Sequence, residues 1–82
     1  MPTYRPEILE ELVRHGIRPT PATDPRLVHG FVNDLYRFEL RRLRERLLRR
    51  EIARREYAGY VIALRKRYLV LSVPVELWTE KR

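Results

Sequence analysis

The chain has 82 residues, enough for one domain, and 18 Lys and Arg against 11 Asp and Glu give it a net charge of +7. It contains no cysteine, which excludes a disulfide scaffold, a cysteine-based zinc site and thiol catalysis. No N-terminal apolar run is long enough for a signal peptide, and the longest nearly apolar stretch, 68–75, is far shorter than the ~20 residues that cross a bilayer. We therefore expect one soluble, cytoplasmic domain. The absence of glutamine, with a single asparagine, is typical of thermophilic proteins.

The first predicted helix spans 6–15, and Gly16 is expected to end it by adopting a left-handed backbone conformation. Its buried face is predicted to contain Ile8, Leu9, Leu12 and Val13. A stiff, proline-rich connector follows over 18–23. Asp24 is then placed to cap a second helix that Pro25 opens.

The second predicted helix, 25–50, is the longest and changes character midway. Apolar residues in its first half cover a wide arc, which indicates more than one neighbour: Leu27, Val28, Phe31, Val32, Leu35, Tyr36 and Phe38. In the second half, apolar residues form only a narrow seam with 3,4 spacing, which indicates a single neighbouring helix: Leu40, Leu43 and Leu47.

A break at 51–53 separates this helix from a third, predicted over 54–68, so that the two form an antiparallel hairpin. The third helix is predicted to bury one stripe of side chains: Tyr57, Tyr60, Val61, Leu64 and Tyr68. Residues 69–73 are apolar and rich in β-branched side chains, which predicts an extended, strand-like segment, and Pro74 opens a last short turn of helix. The expected fold is a small all-α, three-helix domain over 1–82, with a long central helix, this hairpin and an extended apolar C-terminal tail.

At the predicted tip, Leu47-Leu48 is followed by Glu51-Ile52 and then by Glu56-Tyr57. This order resembles the short bacterial SHOCT-type helical hairpin, whose pattern is a leucine pair, Gly-Ile, a threonine cap, then a glutamate and an aromatic residue. Glu51 stands at the family's glycine position and Ala53 at its threonine position. The resemblance implies a hairpin turn at 51–53 and specifies no activity.

Side chains that could catalyse a reaction or hold a metal are few and isolated. His15 and His29 are the only histidines, and neither has a second histidine three or four residues away. No serine or threonine lies in a nucleophile elbow, and three isolated glycines form no phosphate-binding loop. We expect no catalytic residue, no metal, no cofactor and no small-molecule substrate.

Two glycines, Gly30 and Gly59, lie inside predicted helices, where each costs ~1 kcal/mol relative to alanine. One explanation for such a residue is the close approach of a neighbouring backbone at a helix crossing; the other is a tolerated defect. Gly59 stands among the apolar residues of the third helix, so we expect a helix crossing there, whereas the pattern around Gly30 favours neither explanation.

Arginine supplies nearly all of the positive charge, because Lys66 and Lys81 are the only lysines. One interpretation of this excess of arginine is GC-rich codon usage without functional meaning. The other is that the arginines contact phosphate or an acidic protein. The arginines predicted to make such contacts lie on the second helix and around the tip: Arg42, Arg46, Arg49, Arg50, Arg54 and Arg55. We expect no aromatic side chain among them, since the tyrosines and phenylalanines all fall on predicted buried stripes.

The long helix does not fit inside a compact domain of this size. A helix of about 26 residues is ~39 Å long, whereas such a domain is roughly 30 Å across. The second helix therefore protrudes with the third or is covered by another chain; the alternative is a monomer with a helix kinked near Gly30.

We expect a homodimer, with an interface drawn from the second helix and the tail: Phe31, Leu35, Phe38, Leu71, Val73, Leu77 and Trp78. The expected function is a non-enzymatic protein–protein interaction module acting as a homo-oligomer. The alternative is a basic nucleic-acid-associated protein that uses the arginine row of the second helix.

Overall fold

Three helices carry most of the chain in the computed structural model, which describes residues 3–80. They are α1 (Pro6–Arg14), α2 (Pro25–Leu48) and α3 (Arg54–Arg67). Two short 3₁₀ turns follow α3, and two short strands pair antiparallel: turns Leu69–Ser72 and Val75–Leu77, strands β1 (Thr3–Tyr4) and β2 (Thr79–Glu80). The predicted all-α fold class is confirmed, and each helix ends one or two residues earlier than its pattern predicts.

The predicted start and stop signals act at the helix ends. Gly16, two residues after the end of α1, has a φ of 74°, and the backbone N–H of Ile17 donates to the carbonyl oxygen of Leu12 at 3.0 Å. At the start of α2, the Asp24 carboxylate accepts a hydrogen bond from the backbone N–H of Arg26 at 2.9 Å. Both ends therefore satisfy backbone groups that a helix leaves without partners.

The hairpin between α2 and α3 turns through residues 49–53 and closes with the same type of motif as α1. Arg50 has a φ of 61°, the left-handed region that glycine usually occupies. Its N–H donates to the carbonyl of Leu47 at 3.1 Å, and the N–H of Glu51 donates to that of Arg46 at 2.9 Å. The turn expected at 51–53 is thus present and begins two residues earlier.

The core lies at one end of the molecule, which we call the head. Its buried side chains come from every helix and from the tail: Tyr4, Ile8, Leu12, Val28, Val32, Leu64, Tyr68, Val70 and Trp78. Trp78 is fully buried, and its indole N–H donates to the carbonyl of Val73 at 3.0 Å. The backbone N–H of Arg5 donates to the carbonyl of Trp78 at 2.9 Å, next to the antiparallel pair of β1 and β2.

The hairpin extends from the head as an arm, residues 40–62, and the described chain measures 51 × 18 × 16 Å. Within the arm only Leu43 and Ile52 are buried. The long helix therefore protrudes together with α3, and α2 continues through Gly30 without interruption. This resolves the mismatch between helix length and domain size.

The tail differs from its predicted conformation. Residues 69–73 were expected to be extended, whereas Leu69–Ser72 forms a 3₁₀ turn. Val70 is almost fully buried in the head, so tertiary packing overrides the weak strand preference of β-branched residues. The short turn expected after Pro74 is present at Val75–Leu77.

Two expectations for α3 are wrong. A Cβ placed on Gly59 would meet no other atom within 4 Å, so no backbone crosses there. Tyr60 is 40% exposed and does not belong to the buried stripe, because it lies at the edge of the face that α3 turns toward α2. Leu64 and Tyr68 are buried as predicted.

Candidate functional site

A groove runs between α2 and α3 on one side of the hairpin, with a volume of about 240 Å³. Its lining combines arginines, one tyrosine and a short apolar floor: Glu39, Arg42, Leu43, Arg46, Tyr60, Ala63, Leu64 and Arg67. Pockets for drug-sized ligands hold roughly 300–1,000 Å³, so the groove has room for a smaller group.

Two of the groove arginines lie against aromatic rings. The guanidinium carbon of Arg42 is 5.9 Å from the centroid of the Phe38 ring, and that of Arg46 is 5.6 Å from the Tyr60 ring. Both distances are within the range of cation–π contacts. The expectation that no aromatic side chain lies among the arginines is therefore wrong, because these rings are at the edges of the buried stripes and remain partly exposed.

The end of the groove nearest the head carries the only acidic side chain in the lining. Glu39 forms a salt bridge with Arg67, with 3.4 Å between nitrogen and oxygen, and accepts a hydrogen bond from the Tyr68 hydroxyl. Burial, and then the Glu39 carboxylate, raise the pKa of Tyr68 to about 12. Glu39 and Arg67 offset each other's charge.

Arg42 and Arg46 account for the net charge of the groove. Within residues 3–80, neither forms a salt bridge with a carboxylate. Both are exposed and lie on successive turns of the same helix. The groove therefore presents two uncompensated guanidinium groups to solvent, which is an arrangement suited to an anion.

The other predicted arginines lie outside the groove. Arg49, Arg50, Arg54 and Arg55 are exposed around the tip of the arm. The structure thus divides the arginine set into two members that share a groove and four that face solvent separately.

A second surface feature is an apolar stripe along the first half of α2, made of Leu27, Phe31, Leu35 and Phe38. Leu27 is 72% exposed, Phe31 55% and Phe38 53%, whereas Leu35 is half-buried against the head. The stripe leads into the groove, because Phe38 contacts Arg42. The wide apolar arc predicted for α2 is therefore only partly covered by the chain itself.

The tail residues predicted for the homodimer interface differ in how exposed they are. Leu77 is exposed, while Leu71 and Val73 are half-buried and pack on the core of the head. Trp78 has no exposed surface, so the prediction that it lies at an interface is wrong: it belongs to the chain's own core. Its ring lies 5.3 Å from that of His29.

His15 contacts neighbouring groups of the fold, and no cluster of metal ligands surrounds either histidine in the described part of the chain. His15 follows the last turn of α1, where its Nε2–H donates to the carbonyl of Arg67 at 2.8 Å and its ring stacks on Tyr68 at 4.3 Å. No group of three or more potential metal ligands occurs among the residues that the structure describes.

Comparison with known proteins identifies no relative. The chain matches no protein-family model, no curated protein and no solved structure. The local similarity of the arm's tip to a SHOCT-type hairpin therefore carries no family assignment. Separately, none of the helices in the described part of the chain is both long and apolar enough to cross a membrane.

Sequence reasoning missed Glu39, Tyr60 and Arg67 as members of the site. A signal for them exists, because residues that face each other across an antiparallel hairpin have a constant sum of residue numbers. Glu39 with Arg67 and Arg46 with Tyr60 share one such sum, which is centred on Ala53 in the predicted turn. Pairing the two helices about that turn would have found the groove.

Proposed function

We propose that this protein is a non-enzymatic binding module that forms a homodimer through the apolar stripe on α2. The observation that carries the proposal is the exposure of three large side chains along one side of that helix: Leu27, Phe31 and Phe38. A row of this kind exposes apolar surface that a partner would remove from water. The location of the protein in the cytoplasm stays a prediction.

The spacing of the stripe supports a second copy of the chain as the partner. Phe31, Leu35 and Phe38 follow the 4,3 spacing of a seam between two helices. A two-fold axis near Leu35 would bring two antiparallel α2 helices together and place Phe31 of one copy against Phe38 of the other. Of the tail residues predicted for this interface, Leu77 is exposed and stays a candidate, whereas Leu71 and Val73 pack on the core of the head.

The test is the substitution Phe31→Ser, followed by sedimentation analysis over a wide range of protein concentration. Burying a Phe side chain is worth about 1.5–3 kcal/mol, and the symmetric interface contains it twice. We therefore expect the dissociation constant of the dimer to rise more than ~100-fold. The fold should persist, because Phe31 lies outside the core cluster.

Leu48→Ser is the matched control. Leu48 is an exposed apolar residue on the last turn of the same helix and lies outside the stripe. The proposal fails if the unaltered protein stays monomeric at every concentration, or if Leu48→Ser weakens the dimer as much as Phe31→Ser does.

A second candidate function is association with nucleic acid, which is favoured by the guanidinium groups that lie beside exposed aromatic rings. The net charge of +7 would attract any polyanion. Binding of a labelled oligonucleotide at low salt tests this candidate, because the electrostatic contribution to affinity is largest there. An acidic protein is the competing anionic partner.

A further inference from the structure

We infer that the groove between α2 and α3 is a site for single-stranded nucleic acid, in which Arg42 and Arg46 contact phosphate oxygens and Tyr60 provides a ring for a base. This inference rests on the second candidate function and names the polymer and the residues that bind it.

The charge of the groove comes from two arginines that lie against aromatic rings but form no ion pair within residues 3–80. Arg67 is paired with Glu39, while Arg42 and Arg46 have no carboxylate partner in residues 3–80. They lie one turn apart, about 6 Å along the helix axis. Each guanidinium is a rigid donor fork suited to phosphate, and two on neighbouring turns can follow a backbone that carries repeated charges.

The aromatic rings favour a single strand over a duplex. Tyr60 is partly exposed and faces Arg46 across the groove. A duplex keeps its bases stacked inside, so only its phosphates would meet this surface and the ring would add little. A single strand offers free base faces, which stack on aromatic rings and on guanidinium planes.

The shape of the groove depends on a small residue. Ala63 lies on the wall that α3 contributes, and Leu43 and Leu64 form an apolar floor. Because the side chain at position 63 is a methyl group, the space opposite α2 stays open to a volume of about 240 Å³. A larger side chain at this position would fill the groove without changing any charge.

The experiment measures the fluorescence anisotropy of a labelled oligothymidylate of roughly twelve nucleotides in a series of salt concentrations. The first variant is the double substitution Arg42→Ala with Arg46→Ala. Its control is Arg41→Ala with Arg44→Ala, which removes the same charge from exposed positions of α2 outside the groove. Circular dichroism establishes that each variant is folded.

We expect the groove variant to reduce the slope of log affinity against log salt by about 1.4, since each phosphate contact on a single strand contributes ~0.7. The control should leave the slope nearly unchanged. Tyr60→Ala should weaken binding about five-fold or more, while Tyr60→Phe should retain it, because the ring and not the hydroxyl is used. No Phe38 variant is included, since Phe38 also belongs to the proposed dimer interface.

A charge-neutral pair of variants tests the groove itself. Ala63→Leu should weaken oligonucleotide binding at least several-fold, and Ala58→Leu should not. Ala58 is exposed on α3 and does not line the groove, so the pair adds the same atoms to the same helix.

Several results would overturn the inference, and they differ in what else they overturn. Equal losses of oligonucleotide affinity in the Arg42/Arg46 and Arg41/Arg44 variants would mean that the protein binds through its overall positive charge and has no site in the groove. Tighter binding of a matched duplex, with no effect of Tyr60→Ala, would exclude the single strand. Preference for an oligoglutamate of equal charge would identify an acidic protein as the partner. No oligonucleotide binding at low salt would overturn both the inference and the second candidate function.

Discussion

Tyr68 joins three parts of the molecule at the end of α3. Its hydroxyl donates to Glu39 of α2, and its ring stacks on His15 at 4.3 Å and lies 5.2 Å from the ring of Tyr36. Because the side chain is buried and its hydroxyl faces a carboxylate, ionisation is disfavoured and its pKa rises from 10.0 to about 12. This one residue therefore couples the groove to the core of the head.

The raised pKa of Tyr68 gives stability a dependence on alkaline pH. The folded state holds the phenol proton more tightly than the unfolded state, so the contribution is complete below pH ~10 and is lost as pH rises to ~12. We expect Tyr68→Phe to be less stable near neutral pH, but to lose less stability than the unaltered protein between pH 10 and 12. Urea unfolding over this pH range measures both effects.

The control for this prediction is Leu64→Val, which removes one methylene from the buried face of α3 and no ionisable group. Its unfolding free energy should decline with pH as in the unaltered protein. Some decline should also persist in Tyr68→Phe, because burial and then Asp24 raise the pKa of Tyr4. A Tyr68→Phe curve parallel to that of the unaltered protein would contradict the assignment.

At the scale of one element, α3 contains a defect that no packing requirement explains. Gly59 lies in the interior of the helix, is exposed, and has open space where a Cβ would be. Glycine lowers helix stability because its unfolded chain has more freedom to lose. The residue therefore weakens the arm without allowing any close contact.

Gly59→Ala should raise the free energy of unfolding by about 1 kcal/mol. Gly16→Ala should lower it by roughly 1–2 kcal/mol, because the φ of 74° at Gly16 is unfavourable for a residue with a Cβ. Chemical denaturation of both variants provides the comparison. A destabilising effect of Gly59→Ala would show that the position meets a partner, such as the second copy of the chain.

At the scale of the whole molecule, the head and the arm differ in how much side-chain surface they bury. In the part of the chain that the structure describes, all but two of the buried apolar residues belong to the head, and the arm contributes Leu43 and Ile52. Long helices with few buried contacts open locally at lower free energy than packed ones. The arm is therefore the part of the described chain that we expect to open most readily.

Hydrogen exchange should resolve this difference. Amides in residues 44–60 are expected to exchange faster than those of α1 and of the first half of α2, because opening the arm exposes only two buried side chains. A bound oligonucleotide should slow exchange in the arm. Equal protection in the head and the arm would mean that the two open as one cooperative unit.

The sequence by itself determined the helices, their order and the hairpin. These features depend on local interactions: a cap at Asp24, a left-handed residue at Gly16 and the 3,4 spacing of leucines in the second half of α2. Even the facing pairs of the groove follow from the position of the turn, since an antiparallel hairpin fixes its own register. The cap, the left-handed residue and the leucine spacing act between residues near in the chain, so they are recognisable without the tertiary structure.

Only the tertiary structure decided which apolar side chains are covered. It buries Trp78 and leaves Phe31, Phe38 and Tyr60 partly exposed, although the sequence predicts all four to be covered. The reason is that burial depends on where a distant segment packs: the tail folds into 3₁₀ turns over one side of α2 and leaves the other side open. Periodicity identifies an apolar face, but the rest of the chain determines how much of that face it covers.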